Sequence, residues 1–252
     1  MDPKIFAHRG ASKRAPENTM HAFKLAYFLG AQGIETDVQL TKDDIPVLIH
    51  DEQVTRTTNR TGYVKDFTFN QLKQLDAGSW FAQEYRGTTI VSLDEFLQWI
   101  HDKPLYLNIE LKNNKINYKN LEAIVYERID YYQLVNRTIF STFNPNSVKR
   151  LREFNDIETA FLTLQKNKNL VSYALELGAN AIHIKYRLLH QTLVKKAHKE
   201  NMPIRIFTVN KFAHVKKCFS FGCDAIFTDV PDKILKYRQR LYKNERKIKQ
   251  KP

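Results

Sequence analysis

Two carboxylates on one face of a predicted strand are the residues around which the sequence is organised. Residues 33–40, Gly-Ile-Glu-Thr-Asp-Val-Gln-Leu, alternate in the pattern of a β-strand, so Glu35 and Asp37 share a face. The interior of a sheet or barrel ordinarily carries valine or leucine at such positions. Carboxylate oxygens two residues apart on a strand can both reach one hard cation, Ca²⁺ or Mg²⁺. The alternative is a strand edge that faces solvent.

A second strand repeats this anomaly. Residues 105–112 form a predicted strand that places Asn108, Glu110 and Lys112 on one face. We take Glu110 as the third metal ligand, and we expect Lys112 to pair with a phosphate or with the carboxylates. An amphipathic edge strand is the alternative without a metal.

A hairpin is expected to bring a histidine to the acidic residues. Residues 46–51 form a short predicted strand that follows the Asp37 strand after a brief turn, so it must fold back antiparallel. A turn centred near residue 43 pairs positions whose numbers sum to about 86–87, which predicts His50 beside Asp37. A shift of one residue would turn His50 to the other face.

The order of the other elements predicts how these residues meet. Residues 4–8 form a strand ending in His8 and followed by Arg9, and with the next helix and the Glu35 strand they complete a β-α-β unit. Eight strands that alternate with helices favour a (β/α)₈ barrel over an open doubly wound sheet. Barrel active sites are built at the C-terminal ends of the strands. The eight predicted parallel strands, leaving out the hairpin arm, lie near residues 6, 36, 108, 139, 160, 182, 206 and 226.

Two segments stand apart from this alternation. Residues 52–88 are rich in Thr, Asn and Asp with few helix or strand signals, so we expect an insertion that forms a lid or flank of the site. We place no domain boundary inside residues 1–231. Residues 232–252 form a basic helix or tail in which four apolar residues could dock on the barrel, namely Ile234, Leu235, Tyr237 and Leu241. We favour a solvated terminus, and weak contact of its basic side with an anionic membrane is the alternative.

Composition sets outer bounds. The chain has 252 residues, 42% of them hydrophobic, which excludes wholesale disorder and suits one barrel. The formal charge of +13 suggests an anionic partner without choosing among them. Cys218 and Cys223 have no histidines at metal-ligand spacing, so we expect buried or free thiols. We see neither a secretory signal nor a membrane-spanning run, and we expect a cytoplasmic protein.

The motifs, taken in order, resemble the glycerophosphodiester phosphodiesterase family. The resemblance covers the chain up to Pro231, and one position departs from the family pattern, because Phe207 stands where the family commonly has Trp. The matching motifs are His8-Arg9-Gly10, Pro16-Glu17-Asn18-Thr19, Glu35-Thr36-Asp37-Val38, His50-Asp51, Asn108-Ile109-Glu110-Leu111-Lys112, Ser141-Thr142-Phe143, Phe207-Thr208-Val209-Asn210, and Gly222-Cys223-Asp224 with Thr228-Asp229-Val230-Pro231.

The resemblance implies a TIM barrel with a small insertion between His50 and Ser92, and hydrolysis of glycerophosphodiesters to glycerol 3-phosphate and an alcohol. It implies that the glycerol 2-hydroxyl attacks phosphorus to give a cyclic phosphate, which water then opens. The implied roles are metal ligands for Glu35, Asp37 and Glu110, acid/base catalysis for His8 and His50, phosphate contacts for Arg9 and Lys112, and glycerol-side packing for Phe207. The implied cofactor is one divalent ion, Ca²⁺ or Mg²⁺.

Several assignments stay open at this stage. We take His8 as the base and His50 as the acid, although the sequence does not decide between them. His183, on a strand, is a candidate pocket residue, whereas helical histidines such as His214 are expected at the surface or in packing. One rival function is a lysophospholipase D or phosphoinositide-type phosphodiesterase at a membrane, and another is a noncatalytic anion-binding barrel. The expected partner is a small glycerophosphodiester and not a nucleic acid; the oligomeric state stays open.

Overall fold

A closed barrel of eight parallel strands forms the centre of the molecule. The computed structural model describes residues 2–154 and 156–249, and within them a ninth, antiparallel strand joins the edge of the barrel. The barrel closes because the first strand pairs in parallel with both the second and the last. The strands are β1 Lys4–His8, β2 Gly33–Leu40, β3 Pro46–Leu48, β4 Tyr106–Leu111, β5 Thr138–Thr142, β6 Glu158–Thr163, β7 Ala181–Lys185, β8 Ile204–Phe207 and β9 Ala225–Thr228.

Helices follow the barrel strands and cover their outer faces, which confirms the predicted (β/α)₈ barrel. Each parallel crossover needs such an element between its strands. The predicted helix after Ser92 is confirmed, and Ser92 and Glu95 form the expected capping box. The helices are α1 Met20–Phe28, α2 Phe69–Leu72, α3 Leu93–Ile100, α4 Leu121–Tyr131, α5 Pro145–Arg150, α6 Leu170–Leu177, α7 Gln191–Lys199, α8 Phe212–Phe221 and α9 Pro231–Lys249.

An apolar cluster lies inside the barrel, and polar groups occupy the barrel at the C-terminal ends of the strands. Two further buried clusters pack the outer faces of the strands against the helices. Burial of this apolar surface is the main stabilising contribution to the fold. The interior cluster consists of Phe6, Ile139, Ala160, Ala181, Ala225 and Phe227, with Phe207 packed against it.

The hairpin of β2 and β3 follows the register with numbers that sum to 86, as in the pair Val38 and Leu48. Continuing this register places Ile49 opposite Asp37, and the Ile49 amide donates to the Asp37 carbonyl at 3.0 Å. The prediction that His50 is the direct partner of Asp37 was therefore wrong by one residue. His50 still reaches the site because β3 ends at Leu48 and the chain turns away from strand geometry.

The segment between β3 and α3 has its own small core, which contains Val54, Val64 and Leu72. It is more ordered than its composition indicates, with three short 3₁₀ turns besides α2. Asp76 holds one of its loops, because its carboxylate accepts hydrogen bonds from the backbone amides of Gly78, Ser79 and Gly87.

The C-terminal helix α9 packs on the barrel through its apolar residues, so the favoured prediction of a solvated terminus was wrong for residues 232–241. Ile234 is fully buried, and Leu235, Tyr237 and Leu241 contact the same cluster. The structure describes only the backbone of residues 242–249, so the basic side chains expected there lie outside its description. Within residues 2–154 and 156–249, no helix combines the length and the apolar character that a bilayer crossing requires. Cys218 and Cys223 are buried and free, as predicted.

Candidate active site

Three carboxylates meet at the C-terminal end of β2 and β4. The parallel register of these strands places Asp37 opposite Glu110, and Glu35 lies two residues before Asp37 on the same face. One oxygen from each of the three lies within 4.8 Å of the others. Asp37 is 0% and Glu35 is 4% exposed, so this is a buried concentration of negative charge.

The two buried acids respond to this crowding in opposite directions. Burial, and then the charge of Asp37, raise the pKa of Glu35 to about 8. Burial alone would also raise the pKa of Asp37, but the positive charge of Arg9 and a hydrogen bond from Asn18 hold it well below its usual range. The structure thus keeps Asp37 ionised and leaves Glu35 short of positive charge.

Two cations border the carboxylates. The Arg9 Nε atom lies 3.2 Å from Asp37 Oδ2, and the Arg9 backbone amide donates to Glu35 Oε2 at 2.8 Å. The Lys112 Nζ atom donates to Glu110 Oε1 at 2.8 Å and lies 3.7 Å from Asp37 Oδ1. Of the two pairings expected for Lys112, this structure has the one with carboxylates.

Both predicted catalytic histidines lie at this site, and each has a carboxylate at Nδ1. The His8 Nδ1 atom lies 2.7 Å from Asp229 Oδ1, and the His50 Nδ1 atom lies 2.6 Å from Asp51 Oδ1. Because a carboxylate accepts a hydrogen bond, these contacts assign a proton to each Nδ1, so that Nε2 carries a lone pair in the neutral imidazole and a second proton in the imidazolium. The Nε2 atom of His8 lies 4.0 Å from Glu35 Oε2.

The pKa of His8 is raised above its usual value. Burial by itself lowers this pKa, but the charge of Glu35 and the hydrogen bond to Asp229 outweigh burial. In turn, the bond to His8 lowers the pKa of Asp229 although burial opposes it. His8 and Asp229 therefore stabilise the charged forms of each other.

A cavity of about 510 Å³ opens beside these groups. It extends from His8, His50 and Glu110 across the barrel mouth towards β6, β7 and β8. Its volume lies within the range typical of small-molecule sites, 300–1,000 Å³ by rough survey.

Aromatic side chains line the far part of this cavity. Phe207 lines the wall, where its packing against the glycerol stays a prediction, and the fully buried His183 is among the lining residues. His214 was expected at the surface or in packing, but it lines the cavity and stacks on Tyr186 with ring centroids 3.7 Å apart. Helical spacing alone cannot show that the first turn of α8 faces the barrel mouth.

Comparison with known proteins agrees with this architecture. The sequence model of the Glycerophosphoryl diester phosphodiesterase family matches residues 8–233. The chain belongs to this family. Membership confirms the resemblance and the predicted enzyme class, a glycerophosphodiester phosphodiesterase.

Similar relatives extend over nearly the whole chain. A glycerophosphodiester phosphodiesterase of Bacillus altitudinis is 40% identical, over 94% of this chain and 99% of that protein. One from Caldanaerobacter subterraneus is 38% identical, over 93% of this chain and 97% of that protein. A phosphodiesterase of Oleispira antarctica, solved with the product sn-glycerol-3-phosphate, is 31% identical with a TM-score of 0.86, over 94% and 97% of the two chains.

Three residues that contact the site residues were assigned no role from the sequence. Asn18 is buried, donates to Asp37 Oδ2 at 2.9 Å and accepts from Thr36 Oγ1 at 2.8 Å. Asp229 and Asp51 orient the two histidines. Asp51 directly follows His50, so its position was a usable signal, whereas Asp229 lies 221 residues from His8 and no local pattern connects them.

Ion pairs join the inserted segment to the carboxylate site. Arg56 donates from Nε to Asp51 Oδ2 at 2.6 Å and from both terminal nitrogens to the Glu17 carboxylate at 2.8 and 2.9 Å. Glu17 also accepts from Arg9 Nη1 at 2.9 Å. The chain of contacts His50, Asp51, Arg56, Glu17 and Arg9 thus links one histidine to the cation beside Asp37.

Proposed function

We propose that the protein hydrolyses glycerophosphodiesters to glycerol 3-phosphate and an alcohol with one divalent cation, Ca²⁺ or Mg²⁺, held by Glu35, Asp37 and Glu110. The donor set supports this proposal, because three carboxylates with oxygens within 4.8 Å suit a hard cation. Among the described residues, the buried Asp37 Oδ1 atom has no hydrogen-bond partner. A cation would satisfy this oxygen and offset the repulsion from Asp37 that, after burial, raises the pKa of Glu35.

The phosphate would lie between this cluster and the two histidines. A bound divalent ion supplies positive charge to the nonbridging oxygens as negative charge develops in the transition state. Arg9 and Lys112 add two fixed positive charges at the same place, since both already contact the carboxylates. Asn18 and Glu17 position these groups through the hydrogen bonds that they make with Asp37 and Arg9.

The histidines would transfer the protons. His8, as the neutral imidazole, accepts the proton of the glycerol 2-hydroxyl at Nε2 as that oxygen attacks phosphorus, and His50, as the imidazolium, gives its Nε2 proton to the departing alcohol oxygen. The product of this step is a cyclic phosphate, which water opens with the two roles reversed. Carboxylates at both Nδ1 atoms support proton transfer by both histidines, because each stabilises the imidazolium form of its histidine.

The relatives do not favour the membrane alternative. The Bacillus and Caldanaerobacter proteins carry the name glycerophosphodiester phosphodiesterase, and the Oleispira structure holds glycerol phosphate as its product. We therefore propose a small water-soluble diester as the substrate of this chain. A lysolipid or phosphoinositide substrate would be tested only after such diesters fail.

The first test measures glycerol phosphate released from glycerophosphocholine and glycerophosphoethanolamine, with EDTA and after Ca²⁺ or Mg²⁺ is restored. We expect activity that EDTA abolishes, and losses of at least ~100-fold in Glu35→Gln and His50→Ala. His101→Ala is the matched control, because His101 is exposed at the end of α3. Activity that persists in EDTA would contradict the metal, and activity retained in His50→Ala would contradict its proton transfer.

The cyclic phosphate has its own test. A diester of propane-1,3-diol lacks the hydroxyl that attacks phosphorus, so we expect no cleavage of it by the wild-type enzyme. Phosphorus NMR during turnover of the glycerol diester would show the cyclic product when its hydrolysis is slower than its formation. Cleavage of the propanediol diester at a comparable rate would show that attack by the 2-hydroxyl is not required.

A further inference from the structure

The part of the barrel mouth built by the loops after β5, β6, β7 and β8 carries cations without acids. Residues 143–144, 164–169, 185–190 and 208–211 contain no Asp or Glu. We call their cations the cationic rim, which consists of Lys166, Lys168, Lys185, Arg187 and Lys211. Among the described residues, none of these five forms an ion pair with a carboxylate.

The rim is continuous with the catalytic cavity. Lys185 and Arg187 line the cavity itself, and both are exposed. The Arg187 Nη2 atom donates to the Leu164 carbonyl at 2.7 Å, which holds the guanidinium beside the mouth. Lys166 and Lys168 line a neighbouring groove that shares Phe143, Leu162 and Leu164 with the cavity.

The Tyr186 ring beside the rim is already engaged. One face of Tyr186 stacks on His214, and the Lys217 ammonium lies 5.5 Å from the centre of the Tyr186 ring. A quaternary ammonium group binds best over free aromatic faces, with negative charge nearby. Tyr186 is therefore a poor platform for such a group, because one face is covered and the charges of the surrounding loops are positive.

Burial and then the charges of Lys211 and Lys217 lower the pKa of His214. This direction agrees with a positive local potential at the wall. A negative group that enters this region would therefore be attracted by the rim.

We propose that the head-group end of the substrate occupies this side of the cavity, and that the enzyme prefers an alcohol bearing a further negative charge, such as a second phosphate. This inference rests on the proposed function, which places the scissile phosphate at His8, His50 and the carboxylates. From there the cavity leads to Lys185 and Arg187, where it meets solvent beside the 40% exposed Leu164. The variable part of a diester needs this open end, whereas the glycerol hydroxyl must meet the histidines.

Coulomb's law sets the size of the preference. A unit charge ~7 Å from one cation in water changes binding about threefold before screening. With two cations, Lys185 and Arg187, an anionic head group should be favoured over a cationic one about 20-fold at 0.01 M ionic strength. The preference should fall to about fivefold at 0.15 M, where the screening length is ~8 Å.

The test compares kcat/KM for three diesters at both ionic strengths. Glycerophosphocholine has a cationic head group, glycerophosphoglycerol an uncharged one, and 1,3-bis(glycerophospho)glycerol an anionic one whose two equivalent bonds require a twofold correction. We expect the anionic diester to lead and the choline diester to be last, with a smaller spread at higher salt. A choline diester that equals or exceeds the anionic one would overturn the inference.

A double variant links the preference to the rim. In Lys185→Gln/Arg187→Gln, we expect the ratio of the anionic to the choline diester to fall to within about twofold of unity. Lys195→Gln/Lys196→Gln on α7 is the matched control, because it removes two exposed charges that line neither the cavity nor the groove. An equal loss of preference in the control, or an unchanged ratio in the rim variant, would also overturn the inference. If the wild type releases glycerol phosphate from none of the three, the proposed function itself fails.

Discussion

Replacing Asp229 with Asn tests how His8 is prepared for its proposed role as the base. In the wild type, Asp229 Oδ1 lies 2.7 Å from His8 Nδ1, and Asp229 Oδ2 accepts from Asn210 Nδ2 at 2.6 Å. Because Asn210 Nδ2 can only donate, the new amide of Asp229→Asn must keep its oxygen towards Asn210. Its NH₂ group then faces His8 and makes Nδ1 an acceptor, which moves the imidazole proton to Nε2. His8 would lose the lone pair that accepts the hydroxyl proton.

The size of the effect follows from the hydrogen bonds involved. To regain the reactive tautomer, the variant must break the bond to Asn210 or place two N–H groups against each other, and it has also lost the carboxylate that stabilises imidazolium. With one to two bonds at ~1–1.5 kcal/mol and a lost charge-assisted contact, the barrier rises by about 2–4 kcal/mol. We expect kcat to fall about 30- to 1,000-fold, since each ~1.4 kcal/mol is a factor of ten.

The assay is glycerol phosphate release at saturating substrate and metal, with a thermal melt to verify folding. Asp224→Asn is the matched control, because Asp224 Oδ2 lies 2.9 Å from His198 Nε2 in a second His–Asp pair outside the cavity. We expect the control to keep its activity. A folded Asp229→Asn enzyme within about threefold of wild type would refute the tautomer argument, and an equal loss in Asp224→Asn would show a general structural effect.

Three further predictions follow from the same contacts. Arg56→Gln removes the ion pairs that hold Asp51 and Glu17, so we expect kcat/KM to fall about 3- to 10-fold. The free energy of unfolding measured in urea should change by about 1 kcal/mol or less, because Arg56 is 43% exposed. The pKa of Glu17 is lowered, and that of Asp51 is lowered to about 2. Both carboxylates therefore stabilise the folded protein fully above the ordinary carboxyl pKa range, and this stabilisation is lost as the pH falls. Between pH 6 and 2, the free energy of unfolding in urea should decrease less in Glu17→Gln than in the wild type. Equal pH dependence in the two proteins would show that Glu17 does not provide this stabilisation. Ca²⁺ or Mg²⁺ at ~100 times its Kd should stabilise the wild type by about 2.7 kcal/mol in thermal melts and Glu35→Gln far less, and an equal rise in both would place the cation elsewhere.

Local periodicity was enough to predict the fold and to place three acids on strand faces that point into the barrel. The alternation of side chains in β2 and β4 is a property of each strand alone, so Glu35, Asp37 and Glu110 could be assigned to interior faces before any pairing was known. Eight strands interrupted by helices likewise predict a parallel barrel, because each parallel connection needs a crossover. The roles of these residues in catalysis remain predictions that the proposed experiments test.

Contacts between distant segments were decided by the tertiary structure alone. Closure of β1 against β9 brings Asp229 to His8, and nothing within either segment specifies the other. The exact hairpin register, which set Ile49 opposite Asp37, depended on a turn whose centre the sequence left uncertain by one residue. The placement of His214 in the cavity had the same origin, because the direction of a helical side chain depends on how its helix packs against the barrel. Sequence patterns record which face of an element is buried, but only the packed chain determines what that face meets.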